Sequence, residues 1–243
     1  MNSLMGLERC QAFINCHLQP AGATQFTEGP TRKRAVTISR QSGSGGHAVG
    51  EKLATYLQAH AEKEERPWTL FDRDLVQKVI EDHHLPERLA RFMTEDRISE
   101  ISDTMDELFG LHPPSSLLVR KVSETILRLV ELGNVILVGR GGGLITRKLD
   151  YVLHVRLVGS LAKRIEHMQA INGWTAKQAR EFIEHEDLGR RRYLKKYFQM
   201  DIDDALLYHI VINTDIVPYE DAARLIGEAV LAGKREVHAQ VAA

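Results

Sequence analysis

Cysteine is almost missing from this chain of 243 residues: Cys10 and Cys16 are the only two, both in the N-terminal stretch. No disulfide framework follows, and the usage fits a reducing compartment, the cytoplasm. Net charge is equally scarce. A formal balance of −1 supplies no global field for nucleic acid or an anionic membrane surface. No apolar run is long enough to span a bilayer, and the first residues lack the basic region and apolar core of a signal peptide. His47, His83, His84, His185 and His209 show no HExxH spacing, so no histidine-built metal site is expected. What is present is the ordinary balance of a globular protein, 43% hydrophobic and 27% charged, able to bury a core without staples.

The chain is organised around Val36–Gly50, read as a β-branched strand, a glycine-rich turn and a helix that starts near His47 or Ala48. Gly43, Gly45 and Gly46 allow positive φ and close approach of the backbone to a ligand. Such a turn before a helix N-terminus is an anion site, because unpaired N–H groups and the positive end of the dipole converge on it. A phosphate loop reads G-x-x-x-x-G-K-[ST]. Aligned on Gly45, this chain carries Arg40 at the first glycine, Gly46 at the lysine and His47 at the hydroxyl, with Ala48 following. The backbone cradle is kept and the two usual side chains are not. A plain glycine-rich turn is the alternative.

Around this centre the chain alternates strands and helices. Residues 1–33 read as an extension, with a short amphipathic segment over Met5–Asn15 and a linker after it, able to pack on the domain or on a second subunit. Trp68–Phe71 reads as a strand. Asp72 and Arg73 follow it, either facing a ligand beyond the sheet or, for Asp72, capping a helix over Asp74–His83. Residues 85–133 read as a helical insertion, ending in an amphipathic helix over Leu117–Leu132. Val135–Val138 suits a doubly buried strand, and Arg140 in the glycine loop after it can fork onto a phosphate or remain an exposed charge. Tyr151–Leu157 is a fourth strand. Ser160 caps a helix carrying Arg164, and Thr175–Gln178 has capping-box spacing. The helix it opens, within residues 175–200, holds Asp187 and five basic residues between Arg190 and Lys196, among them Arg191. Like charges so close repel. They read as a solvated face or as a lid whose arginines close on polyphosphate, with Asp187 orienting one of them. His209–Asn213 is a fifth strand and Pro218–Leu231 a closing helix, with a frayed tail beyond.

Ile38–Gly46, Phe71–Leu75, Val138–Gly141, Asp187–Arg190 and Val211–Thr214 together resemble the cytidylate kinase-like family of P-loop proteins, in the right order over roughly residues 34–230. The resemblance implies an α/β fold: a P-loop NTPase-type parallel sheet of about five strands flanked by helices, with a helical acceptor-binding insertion and an arginine-rich lid. It also implies ATP and Mg²⁺ with CMP or dCMP as acceptor, hence a nucleotide or other small-molecule substrate. Gly43, Ser44, Gly45, Gly46 and His47 would hold the donor phosphates. Asp72, Arg73, Arg140 and Arg191 would face the acceptor, and Arg164, Asp187 and Arg190 would form the catalytic lid. Arg40, by position, would replace the missing lysine. Relatives of that family keep the lysine, the hydroxyl and an acidic residue where Gly139 stands here. Three readings follow: a kinase, a nucleotide-sensing protein that binds without turnover, and a structural partner that docks through its N-terminal helix.

Overall fold

The computed structural model describes residues 34–61, 66–72, 117–139 and 141–241. Five strands form one sheet: β1 (Ala35–Arg40), β2 (Thr69–Phe71), β3 (Val135–Val138), β4 (Val152–Val158) and β5 (Ile210–Asn213). Their order is β2-β3-β1-β4-β5, and every neighbouring pair is parallel. Strand β1 lies at the centre. The chain leaves it first to one side and later to the other, so a crevice opens at its carboxyl end, where open α/β sheets bind ligands.

The helices are α1 (Gly46–Ala59), α2 (Leu117–Leu132), α3 (Gly142–Ile145), α4 (Leu161–Asn172), α5 (Ala176–Phe198) and α6 (Tyr219–Val241). Strand alternation explains the two faces of the sheet. Val36 and Ile38 on β1 join Val155 and Leu157 on β4 and Ile136 and Val138 on β3. These residues pack under α1 through Val49, Leu53 and Leu57 and under α6 through Ala222, Ala223 and Ile226. The opposite face is polar at its centre, with Thr37 and Ser39 on β1 beside His154 and Arg156 on β4. All four residues of β3 are buried, as expected for a strand covered on both sides.

Helix boundaries follow local chemistry. Ser160 Oγ accepts from the Lys163 N–H, and Thr175 and Gln178 form the reciprocal capping box that their spacing predicts. Gly173 ends α4 at φ 68°. Helix α1 begins one residue earlier than expected, at Gly46, because Gly45 takes the left-handed conformation at its start. Helix α6 runs to Val241, ten residues past the expected stop. A glycine inside a helix costs only about 1 kcal/mol, so Gly233 does not have to end one. Of the insertion expected over residues 85–133, α2 is described and packs against β3 and α3. The expected helix over Asp74–His83 and the extension over residues 1–33 lie outside the described residues. Among the described residues, no helix is long and apolar enough to cross a membrane.

Candidate functional site

The glycine turn has the backbone its sequence requires. Gly43 and Gly45 sit at φ 81° and 79°, a region that favours glycine. Neither position has room for a side chain. A Cβ on Gly45 would lie 2.3 Å from the Tyr219 ring, and one on Gly43 would lie 2.7 Å from the Arg164 carbonyl oxygen. Ser44 Oγ donates to the Gln41 carbonyl at 2.8 Å and closes the turn. His167 Nδ1 reaches the Gly43 carbonyl at 2.8 Å, with its ring edge-on to Tyr219.

Asp187 on α5 closes onto this turn. Its Oδ1 accepts the Ser42 N–H at 2.8 Å and its Oδ2 accepts from Arg164 Nη1 at 2.6 Å. Arg190 donates to both Asp187 and the Ser42 hydroxyl. Arg164, 8% exposed, also donates to the Gly159 and Ser42 carbonyls at 2.9 and 3.2 Å. Burial alone would raise the Asp187 carboxyl, but the Ser42 N–H and the two guanidinium groups outweigh it and hold the acid below its ordinary value. Where one arginine was expected on Asp187, two meet there, brought from α4 and α5. Arg190 is also 3.4 Å from Glu186, so two carboxylates balance the two guanidinium groups beside the turn.

Arg40 runs along the floor of the crevice. Its Cγ occupies the space a Cβ on Gly46 would need, 2.8 Å away, and its guanidinium lies where a Cβ on Gly139 would fall, at 2.2 Å from Nη1. Both glycines therefore make room for this one side chain. His47 is half exposed and 3.4 Å from each of two carboxylates, Glu51 and Asp72. Asp72 thus stands at the start of α1. Arg191 pairs with Asp203 at 2.7 Å. Arg73 and Arg140 lie outside the described residues.

A cavity of about 270 Å³ adjoins the turn, bounded by Ser39, Arg40, the backbone of Gly139 and Gly141–Gly143, and Arg190, Tyr193 and Tyr208. Residues that carried no expected role lie behind the wall that Thr37, Ser39 and Tyr208 form. Arg156, 4% exposed, donates to Ser39 Oγ at 2.9 Å and to Asp203 at 2.8 Å, and lies 5.6 Å from the Tyr208 ring centroid. His154 lies behind Thr37 at 2.8 Å and stacks on His209 at 4.9 Å. The available signal was an arginine and a histidine inside an otherwise apolar strand. Among the described residues, no group of three or more acidic, histidine or cysteine side chains is placed to hold a metal ion.

The arrangement combines a glycine turn that carries two arginines, Arg164 and Arg190, with an adjoining pocket lined by a third, Arg40. Residues 35–216 match the cytidylate kinase-like family. The chain is 26% identical over 191 residues to the cytidylate kinase of Pyrobaculum arsenaticum, covering 78% of this chain and 89% of that one. A stretch of 127 residues, 52% of the chain, is 29% identical to the uronate isomerase of Corynebacterium glutamicum and spans only 24% of that protein. A crystal structure of an uncharacterized protein from Eubacterium ventriosum superposes with a TM-score of 0.63 at 20% identity, covering 83% of this chain and 99% of that one.

Proposed function

This chain belongs to the cytidylate kinase-like family, and from that premise we propose that it transfers the γ-phosphoryl group of ATP to a nucleoside monophosphate, CMP or dCMP. The observation that carries the reading is the pair Arg164 and Arg190 on one glycine turn, with Arg40 lining the cavity beside it. Phosphoryl transfer needs an in-line arrangement and positive charge near the equatorial oxygens rather than a side-chain nucleophile.

The turn fits a triphosphate. Its two left-handed glycines leave a cradle that a Cβ would fill, and the first N–H groups of α1 have no intrahelical partners. Mg²⁺ bound with ATP would neutralise charge on the transferred group, and Asp72, beside His47 at the start of α1, is the carboxylate that would help to hold it. Arg164 and Arg190 would leave Asp187 for the phosphates, which carry more charge than one carboxylate. Arg40 takes over the role of the missing lysine. A lysine at position 46 and an arginine at position 40 compete for the same space, so the loop exchanges one cation for another. Arg191 would join the acceptor side after release from Asp203.

Gly46 also supports a second reading, a sensor that binds ATP without turnover, because no side chain at that position can follow the phosphoryl group. ADP release from ATP and Mg²⁺, measured with CMP, dCMP, UMP, AMP and GMP in turn, separates the two. Turnover with CMP or dCMP supports the kinase. Thermal stabilisation by ATP with no turnover on any acceptor replaces it with the sensor.

A further inference from the structure

Gly43 sits at φ 81°, and a glycine takes negative φ as readily, so nothing in that residue itself holds the turn in its anion-binding form. The hold comes from α4. Arg164 and His167 stand three positions apart on that helix and so share a face. Arg164 Nη1 donates to the Ser42 carbonyl at 3.2 Å, and His167 Nδ1 meets the Gly43 carbonyl at 2.8 Å. A carbonyl oxygen carries no proton, so Nδ1 is the donor, and the ring supplies that N–H whether neutral or charged. Two successive carbonyls are thus drawn to α4. In a trans peptide the N–H points opposite to its carbonyl, so the Gly43 N–H is turned away from α4. The Gly43–Ser44 peptide is held at its other end as well, where the Ser44 N–H donates to the Gln41 carbonyl at 3.2 Å. Tyr219 secures the histidine. Its ring lies edge-on to His167, 5.4 Å between centroids, and fills the space beside Gly45.

The two holds differ once phosphates arrive. Arg164 is charged and already shared with Asp187, so a polyphosphate competes for it. His167 grips backbone, and that grip does not depend on where the arginines go. We propose that His167 is a positioning residue of phosphate binding: its Nδ1–H on the Gly43 carbonyl keeps the glycine turn in the form that receives the donor triphosphate, and keeps it so after Arg164 has moved to the phosphates. Without that donor, Gly43 is free to turn a carbonyl toward the phosphates, where its negative end repels them. The inference rests on the reading that the turn holds the phosphates of ATP, and it names the side chain that keeps the turn ready for them.

The test is calorimetric binding of ATP to the full chain and to His167→Asn, His167→Gln and His167→Leu, with thermal unfolding beside it. Asparagine carries its amide nitrogen as many bonds from the backbone as Nδ1, and glutamine carries it one bond farther. His167→Gln and His167→Leu are expected to weaken ATP binding roughly three- to tenfold, the worth of one hydrogen bond, with little change in unfolding temperature. His167→Asn is expected to keep most of the wild-type affinity. A purely structural histidine would instead make ATP affinity fall in step with the unfolding temperature, without regard to where the donor sits. Equal ATP affinity in the wild-type chain and His167→Leu, or equal losses in His167→Asn and His167→Gln, overturns the proposal and leaves the kinase reading intact. Should His167→Leu not fold, the comparison of the asparagine and glutamine variants decides. The expected pattern of ATP binding with no turnover on any acceptor keeps this proposal and removes the kinase. A wild-type chain that does not bind ATP removes the phosphate cradle, and both with it.

Discussion

At the residue scale the informative position is Arg40, because its meaning depends on two glycines, Gly46 across the turn and Gly139 remote from it in sequence. Gly46 and Gly139 each lack a Cβ where Arg40 lies. Gly46→Ala should therefore displace the arginine without altering its charge, and a fall in turnover with unchanged folding would register this. His154 gives a pH prediction. Burial, with His209 beside it, pushes its imidazole down from 6.5 to about 4. The unfolded chain then binds a proton below 6.5 that the folded chain refuses until about 4, so stability falls as pH drops through that window. The full effect is on the order of 3 kcal/mol. Urea unfolding at pH 7 and pH 5 should show a smaller loss for His154→Gln than for the wild-type chain. The glycine turn was legible from sequence because left-handed backbone selects glycine. The Ser39–Arg156–Asp203 chain was not, because alternation along a strand shows which face a residue takes and not which neighbour the parallel register sets beside it.

At the scale of elements, α5 is held to the turn by one carboxylate and two arginines. Asp187→Asn removes the one charge that the two arginines share, leaving Arg190 only Glu186 and Arg164 no carboxylate within ion-pair distance among the described residues. Faster amide exchange over α5 and the turn is expected, with a stability loss of roughly 1–3 kcal/mol. Because the Asp187 carboxyl lies below its ordinary value of 3.8, its contribution is complete above that pH and is lost as pH falls through its folded value. Helices α1 and α6 offer a packing test. A Cβ on Gly227 would lie 2.3 Å from the Tyr56 ring. Gly227→Ala gains about 1 kcal/mol of helix propensity but overpacks a rigid ring at a cost of about 1–3 kcal/mol. Net destabilisation by thermal unfolding is expected; stabilisation would show that the interface yields. The helix starts at Ser160 and Thr175 were readable because caps are local. The far end of α6 was not, since an interior glycine marks a stop only where packing permits.

For the molecule as a whole, the parallel sheet was readable from apolar strand runs separated by helical periods, and β3 from its four consecutive buried residues. The strand order β2-β3-β1-β4-β5 brings Arg40, Arg164, Arg190 and Asp187 from three elements, β1, α4 and α5, to one sheet edge, and no local pattern could show that Asp187 would gather two arginines. The central claim is that Arg40 supplies the charge that a phosphate-loop lysine supplies elsewhere. The most direct measurement is the turnover of Arg40→Ala with ATP, Mg²⁺ and the preferred monophosphate, taken beside its ATP affinity. Loss of one preorganised donor to a developing charge costs about 3 kcal/mol, so turnover should fall about a hundredfold or more while ATP binding changes little. Turnover equal to that of the wild-type chain would contradict the claim.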